Sequence, residues 1–153
     1  MKLKLSLLLP ILIVCFLANS QQKNNISINY PQNVEAALSS KEKAMIEEVY
    51  KTESKALVFD NPKYLKELKH LMRNRILIYK EDNAKFQKQT KLLSEVPLFN
   101  DYNKDLKRDI NFNSSEFNPL KYKLDFFANG TYVYRIDNTN YFIQITSQHR
   151  STK

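Results

Sequence analysis

The sequence contains very few of the residues on which metal-binding and catalytic motifs are built. Its 153 residues include one glycine, one cysteine, two histidines and no tryptophan. A single glycine excludes the glycine-rich loops that bind phosphate groups, because those loops need several backbone positions without a Cβ atom. With only Cys15, His70 and His149 available, a zinc site made of cysteine and histidine is not expected. The lack of tryptophan weakens the case for a surface on which sugars stack.

The acidic residues come close to one metal-binding motif without completing it. Four residues match positions one, three, five and nine of a calcium-binding loop: Asp101, Asn103, Asp105 and Asp109. The glycine and the final glutamate of that loop are replaced by Leu106 and Phe112, so the sharp turn and the strongest ligand are missing. We therefore predict neither a metal ion nor a cofactor.

The start of the chain has the three-part pattern of a secretory signal peptide. Two lysines precede an uncharged apolar run at 5–17, and small residues follow at Ala18 and Ser20. We predict a signal peptide over 1–20 that is cleaved after Ser20. Two alternatives remain open, namely lipid attachment at Cys15, which a bulky valine precedes, or retention of the segment as an anchor. The apolar run is shorter than the roughly 20 residues that span a membrane.

Charge and cysteine content indicate the compartment and the kind of partner. Cleavage would remove the only cysteine, and a domain without disulfides is typical of a bacterial exported protein that folds by packing alone. The net charge is +8 for the whole chain, and without the two leader lysines 22 basic and 16 acidic residues leave +6. A basic exported protein favours an anionic partner such as an envelope polymer. Another envelope protein is the alternative partner.

An enzyme is the less favoured class of function. No G-x-S-x-G motif occurs, and neither histidine lies in a hydrolase motif. Hydrolysis by two carboxylates remains open, because 16 acidic residues permit many pairs, although none is distinguished by its setting. A small envelope hydrolase that uses carboxylates is therefore the alternative to a binding protein.

Two helices are predicted in the first half of the chain. Ser39 and Glu42 fit a capping box, and apolar residues recur at helical spacing from about residue 40 to the middle fifties. Asn61 and Pro62 then predict the start of a second helix, with asparagine as the cap and proline at the first position. The short joint between the two helices predicts an αα-hairpin.

The second half predicts strands. Four runs are short and have the apolar, aromatic or β-branched residues that are typical of strands: 75–80, 121–127, 131–136 and 141–146. A three-residue turn at 128–130 would pair Leu124 with Tyr134, and a four-residue turn at 137–140 would pair Tyr134 with Ile143. That register places the large apolar residues on one face and leaves the other face, with Arg135 and Gln144, in water.

These elements predict one small α+β domain at 39–147, preceded by a flexible polar tether at 21–38 and followed by a polar tail at 148–153. The N-terminal αα-hairpin is expected to pack on a C-terminal antiparallel sheet of three or four strands, in which 75–80 would be the fourth. The polar stretch at 81–116 is too long for an ordinary connection, and only its apolar clusters, such as 96–99, are expected to contact the core.

One surface is singled out as a candidate binding site. Four basic residues lie opposite the apolar stripe of the second helix: Lys63, Lys66, Lys69 and Arg73. Such a face is typical of any solvated helix, and it is also where an anionic polymer or membrane would bind. Nucleic acid is not expected as a partner, since the aromatic residues fit the core better than a stacking surface.

The segments SEVPLFNDYNKDLKRD and EFNPLKYKLDFFANGTYVYRIDNTNYFIQITSQ resemble small uncharacterised exported proteins of Bacteroidetes flavobacteria. The resemblance covers about the last sixty residues, lies in composition as much as in motifs, and implies a Gram-negative source with a periplasmic or secreted location. It carries no activity and no functional residue. The sequence as a whole therefore predicts an exported, non-catalytic binding protein of the cell envelope or the extracellular space.

Overall fold

The computed structural model describes residues 30–147, which fold into an α+β arrangement. Within this range there are three α-helices: α1 (Ser40–Tyr50), α2 (Pro62–His70) and α3 (Ala84–Gln89). A mixed sheet contains four strands: β1 (Ile76–Lys80), β2 (Lys91–Leu92), β3 (Tyr132–Arg135) and β4 (Tyr141–Ile145). The predicted signal peptide with its cleavage site and Cys15, and the predicted tail with His149, lie outside the described residues.

Shorter helical turns connect these elements. Four are 3₁₀ turns: Gln32–Val34, Lys51–Glu53, Leu93–Glu95 and Pro119–Lys121. Two are single π turns: Lys55–Phe59 and Leu71–Arg75. Across the described part of the chain, no helix combines the length and the apolar character that a membrane crossing requires.

Helix α1 begins as predicted and ends early. The Ser39 hydroxyl accepts from the Glu42 backbone N–H, and the Glu42 carboxylate accepts from the Ser39 N–H, so the capping box is confirmed. The helix ends at Tyr50 because Lys51 takes a φ of 49°, in the left-handed range that an α-helix cannot continue through. The predicted continuation into the middle fifties is therefore wrong, and a 3₁₀ turn and a π turn follow instead.

Helix α2 begins at the predicted signal. The Asn61 side chain accepts from the Tyr64 backbone N–H at 3.1 Å, and Pro62 occupies the first helical position. The π turn at Leu71–Arg75 then leads directly into β1. The predicted strand at 75–80 is thus confirmed to within one residue, and it is a member of the sheet.

The sheet has the strand order β1-β4-β3-β2. Strands β3 and β4 pair antiparallel with Tyr134 opposite Ile143 and Tyr132 opposite Ile145, which is the predicted register. Strand β1 pairs antiparallel with the other side of β4. Strand β2, however, runs parallel to β3, so the prediction of an antiparallel sheet is wrong at this edge.

The predicted strand at 121–127 is not formed. The Phe99 N–H donates to the carbonyl of Lys121 at 2.7 Å, and the Lys123 N–H donates to the carbonyl of Pro97 at 2.8 Å. The edge of β3 that this segment was expected to pair with is occupied by β2, and the N–H groups of Leu124 and Phe126 donate locally, to the carbonyls of Tyr122 and Leu124. The predicted pairing of Leu124 with Tyr134 across a turn at 128–130 is therefore wrong.

The core consists of two apolar clusters. The sheet cluster surrounds Tyr134 and takes much of its cover from the long connection, through Leu93 and Val96, and from Phe117 directly after it. The helix cluster is built on α1, α2, the turns that follow them and the 3₁₀ turn at Pro119–Lys121, with seven buried members: Ile46, Val49, Tyr50, Val58, Leu68, Leu71 and Leu120. The segment at 81–116, which the sequence pattern leaves unassigned, thus covers the face of the sheet that was expected to receive the helices.

The second face of the sheet is also partly covered. Phe142 of β4 is fully buried, with its ring centroid 5.8 Å from that of Tyr79 and 5.2 Å from that of Phe86 in α3. The prediction that this face lies in water is wrong at Phe142. The error follows from missing α3, a six-residue helix with little apolar periodicity.

Residues 30–38 are part of the folded structure. Val34 is buried, and the Asn33 side-chain amide donates to the side chain of Asn74 at 2.9 Å. The prediction of a tether is therefore wrong for these residues, while 21–29 lie outside the described range. A single buried valine has no periodic pattern around it, which is why the sequence gives no signal for this contact.

Candidate functional site

The structure divides the predicted basic face into engaged and accessible residues. Arg73 and Lys66 contact the segment that precedes α1, as described below, whereas Lys63 is exposed and Lys69 is half-buried. The face is therefore smaller than its sequence spacing indicates. Binding of an anionic partner to the basic face stays a prediction. Of its four residues, Lys63 and Lys69 are the ones that remain available for such binding.

Arg73 is held by five hydrogen bonds within the protein. Its Nε and Nη2 donate to the two carboxylate oxygens of Glu42 at 2.6 and 2.8 Å. Its guanidinium also donates to the backbone carbonyls of Asn33, Ala36 and Ala37. The guanidinium lowers the pKa of Glu42 to about 2 by hydrogen bonding to its ionised form. Arg73 thus fixes the chain entering α1 and is not available to a partner.

Lys66 makes a similar contact nearer the start of the described chain. Its Nζ pairs with the Glu35 carboxylate and lies 5.1 Å from the centroid of the Tyr30 ring. The Tyr30 ring also makes an edge contact with His70, at 5.3 Å between centroids. These residues form a local cluster that covers part of α2.

The four candidate calcium ligands have other partners. Asp101 pairs with Lys123 at 3.1 Å, and Asp109 pairs with Lys121 at 2.6 Å. The Asn103 side-chain amide donates to the carbonyl of Glu48, and its oxygen accepts from the Asp105 backbone N–H. Over residues 30–147, no three histidine, cysteine or acidic side chains converge on one point where a metal ion would bind.

Two carboxylates line a cavity of about 230 Å³ near the end of β3, and both take part in structural contacts. Asp137 accepts from the backbone N–H and the hydroxyl of Ser94 at 2.9 and 2.5 Å. Asp109 accepts from Lys121 and, at 3.3 Å, from the Tyr122 hydroxyl. Both carboxylates are held by donors of the protein itself, so this cavity gives no specific support to a carboxylate hydrolase.

A second cavity, of about 250 Å³, lies between the helix cluster and the irregular segments 99–101 and 120–127. Its walls are aromatic and aliphatic apart from one lysine and one aspartate. Eleven residues line it: Tyr50, Tyr64, Leu68, Phe99, Asp101, Leu120, Tyr122, Lys123, Leu124, Phe126 and Phe127. We refer to it as the aromatic pocket. Its volume lies just below the usual range for small-molecule sites, roughly 300 to 1,000 Å³.

Local structure explains how distant parts of the chain meet at the aromatic pocket. Tyr50 is the last residue of α1 and Tyr64 lies in the first turn of α2, so both rings stand at helix ends close to the joint. Phe99 is brought to Lys123 by the backbone pairing of 97–99 with 121–123. The Arg75 guanidinium donates to the backbone carbonyl of Phe126, which fixes the far wall.

The polar groups of the aromatic pocket form two pairs. The hydroxyls of Tyr50 and Tyr64 are 2.6 Å apart, and burial raises the pKa of both. Lys123 and Asp101 form an ion pair in which each side chain is about half exposed, at 44% and 49%. Phe127 is also 52% exposed, so it belongs to the outer surface of the pocket as well as to its lining.

The sequence pattern did not identify the aromatic pocket. Tyr50 and Tyr64 fall on the apolar stripes of two helices and resemble ordinary core residues. Only the apolar cluster at 96–99, which was expected to contact the core, pointed to one of the walls. Comparisons of the chain with family models, curated proteins and solved structures find no match.

Proposed function

We propose that this chain is an exported, non-catalytic binding protein that holds a small, largely apolar ligand in the aromatic pocket. The observation that carries the proposal is the pocket itself. It is an apolar cavity that is lined by aromatic rings and has few polar groups, and it lies between the two helices α1 and α2 and the segments 99–101 and 120–127. Ligand sites in proteins commonly have this composition and this position. The predicted basic face is a weaker candidate, since Arg73 and Lys66 are used within the protein.

The chemistry of the aromatic pocket favours binding over catalysis. Its ionisable lining groups are three tyrosines and the pair of Asp101 with Lys123. Burial raises the pKa of each tyrosine, so the hydroxyls stay protonated near neutral pH and do not act as bases. The carboxylate of Asp101 is already paired with a cation. A small envelope hydrolase remains the alternative hypothesis, and no contact among the described carboxylates favours it.

Export is part of the proposal and is supported by the sequence pattern of 1–20. We expect the exported protein to begin at Gln21, after cleavage at Ser20. N-terminal sequencing of protein recovered from the periplasm or the medium tests this. Recovery of an intact Met1, or of a lipid-modified Cys15, would contradict it.

Ligand binding is tested with a neutral, environment-sensitive fluorophore, N-phenyl-1-naphthylamine, whose emission increases in an apolar site. We expect saturable binding to the full-length exported protein. Phe127→Ser should weaken that binding by about tenfold, since the lost apolar contact is of order 1.4 kcal/mol. The variant should keep its fold because Phe127 is half exposed.

Leu77→Ser is the matched control for Phe127→Ser. Leu77 is 53% exposed, close to the 52% of Phe127, and it lies on β1 rather than in the aromatic pocket. Binding should be unchanged in this variant. Absence of saturable binding, or an equal loss in both variants, would contradict the proposed function.

A further inference from the structure

We propose that the ligand of the aromatic pocket is a small apolar acid whose anionic group binds Lys123 in place of Asp101. This inference rests on the proposed function and names the chemical class of its ligand. Lys123 and Asp101 are the charged residues among the eleven that line the pocket. A ligand that enters between aromatic walls therefore meets one cation, and that cation is already paired with a carboxylate.

The position of Lys123 fixes its charge beside the apolar lining. Its backbone N–H donates to the Pro97 carbonyl at 2.8 Å, which holds the start of the side chain in place. Its Nζ lies 5.8 Å from the centroid of the Phe99 ring, and Phe99 is itself a wall of the pocket. The alkyl stem can thus contact apolar surface while the ammonium group stays in water, as long basic side chains commonly do.

The contact with Asp101 is one that a ligand can replace at low cost. The Nζ to Oδ1 distance is 3.1 Å, and both side chains are about half exposed. Exposed pairs of this kind contribute little to stability, because water and salt screen them. Exchanging one carboxylate for another leaves Lys123 paired and returns Asp101 to solvent. The apolar part of the ligand then gains the contacts of the aromatic walls.

The other polar groups do not offer a competing site for the anion. The Tyr122 hydroxyl donates to the Asp109 carboxylate. The hydroxyls of Tyr50 and Tyr64 bond to each other, and both keep their protons. They can donate one further hydrogen bond between them, but they carry no charge. The acid is therefore expected at Lys123 and the apolar part of the ligand toward Leu68 and Leu120.

The test compares two probes that differ by one acidic group. N-phenyl-1-naphthylamine is neutral, and 1-anilinonaphthalene-8-sulfonate has the same rings with a sulfonate added. We expect Lys123→Met to weaken binding of the sulfonate about fivefold more than it changes binding of the neutral probe. Asp101→Asn should strengthen binding of the sulfonate about threefold, because it removes the competing carboxylate; both changes correspond to the energy of an exposed ion pair.

A second ion pair provides matched controls. Lys55 and Asp60 are 2.6 Å apart and exposed, and neither lines the aromatic pocket. Lys55→Met and Asp60→Asn should change the binding of neither probe, whereas a general effect of net charge would appear in them as well. Thermal denaturation of every variant verifies that the fold is retained.

The outcomes separate this inference from the proposed function. Suppose that binding of the neutral probe depends on Phe127 but that Lys123→Met affects both probes equally or neither. The inference that the ligand is an acid is then overturned, and the proposed binding of an apolar ligand in the aromatic pocket is retained. If Asp101→Asn weakens binding of the sulfonate, Asp101 is not a competitor and the inference is overturned. If neither probe depends on Phe127, the proposed function falls, and the inference falls with it.

Discussion

Arg73 and Glu42 form a bidentate ion pair that joins the start of α1 to the π turn after α2. The same Glu42 carboxylate closes the capping box with Ser39, and the same Arg73 guanidinium holds the carbonyls of Asn33, Ala36 and Ala37. One contact therefore fixes the first helix, the end of the second and the segment before them. Its geometry is the parallel arrangement in which arginine binds a carboxylate most strongly.

This pair predicts a pH dependence of stability. The pKa of Glu42 falls from 4.5 to about 2 on folding, so its ionised form is favoured in the native state. The contribution is complete above about pH 4.5 and is lost as the pH falls through about 2. We expect Glu42→Gln to lower the free energy of unfolding by about 1.5 to 3 kcal/mol at neutral pH, as for a hydrogen bond to a charged group.

The measurement is urea denaturation of the wild type and Glu42→Gln at several pH values. The difference between the two proteins should be constant down to about pH 4.5 and should shrink below it. Glutamine can still serve in the capping box, so the variant removes mainly the charge. Glu47→Gln in the same helix is the control, since its pair with Lys43 is long and exposed. A difference that persists unchanged into strong acid would contradict the assignment.

A second prediction concerns the buried lysine of the structure. The Lys121 side chain is 6% exposed and lies 2.6 Å from Asp109 and 3.5 Å from Glu48, both of which reach water. Lys121→Met keeps the apolar stem and removes the buried charge, so we expect it to cost less than about 1 kcal/mol. Asp109→Asn leaves the lysine with one distant partner and should cost about 2 kcal/mol, because an unpaired charge then stays buried.

Chemical denaturation of Lys121→Met and Asp109→Asn in parallel shows which of the two loses more free energy of unfolding. If Lys121→Met proved the more destabilising of the two, the ion pair would be a net source of stability in itself. The expected ordering follows from burial, since the Lys121 side chain is 6% exposed and those of Asp109 and Glu48 are 34% and 42% exposed. Lys123→Met, at the exposed pair with Asp101, is a control and should have little effect on stability.

The sequence predicted those parts of the fold that local chemistry determines. Ser39 with Glu42, and Asn61 with Pro62, satisfy backbone groups within a few residues of themselves, and both helix starts are confirmed. The register of β3 with β4 is also confirmed, because burial of Tyr134 and Ile143 on one face permits only one pairing across a short turn.

The parts that were missed depend on contacts between distant segments. The stretch at 121–127 has the composition of a strand, yet its backbone bonds to 97–99 rather than to β3. The parallel contact of β2 involves two residues, too few for any periodicity to show. The aromatic pocket was missed for the same reason, since Tyr50, Phe99 and Phe127 lie far apart in sequence and become neighbours only in the folded chain.

The covered second face of the sheet yields a third prediction. Phe142 is fully buried beneath Tyr79 and Phe86, whereas Leu77, on the neighbouring strand β1, is 53% exposed. Phe142→Ala should lower the free energy of unfolding by about 3 to 5 kcal/mol, as truncation of a buried phenylalanine does. Leu77→Ala should cost less than about 1 kcal/mol. Similar losses in the two variants, measured by urea denaturation, would show that α3 does not cover this face.

The last prediction concerns Tyr134, the central residue of the sheet cluster. Its ring is buried against Leu124 and Ile143, and its hydroxyl donates to the Asp125 carboxylate. Tyr134→Ala should lower the free energy of unfolding by about 3 to 5 kcal/mol because a cavity replaces the ring. Tyr134→Phe keeps the ring and loses the hydrogen bond, so it should cost about 1.5 to 3 kcal/mol, the range for a bond to a charged group.

Alkaline titration separates the hydroxyl from the ring. Burial, with the nearby Asp125, raises the pKa of Tyr134 to about 12, so its protonated form stabilises the fold below about pH 10 and that contribution is lost as the pH rises toward 12. Tyr134→Phe should therefore flatten the decline of stability above pH 10 and leave the part due to the other buried tyrosines, namely Tyr50, Tyr64 and Tyr122, whose pKa values are also raised. Gln144→Ala, a half-buried position on the other face, should change neither the stability at neutral pH nor this decline. A decline identical in Tyr134→Phe and the wild type would contradict the raised pKa of Tyr134.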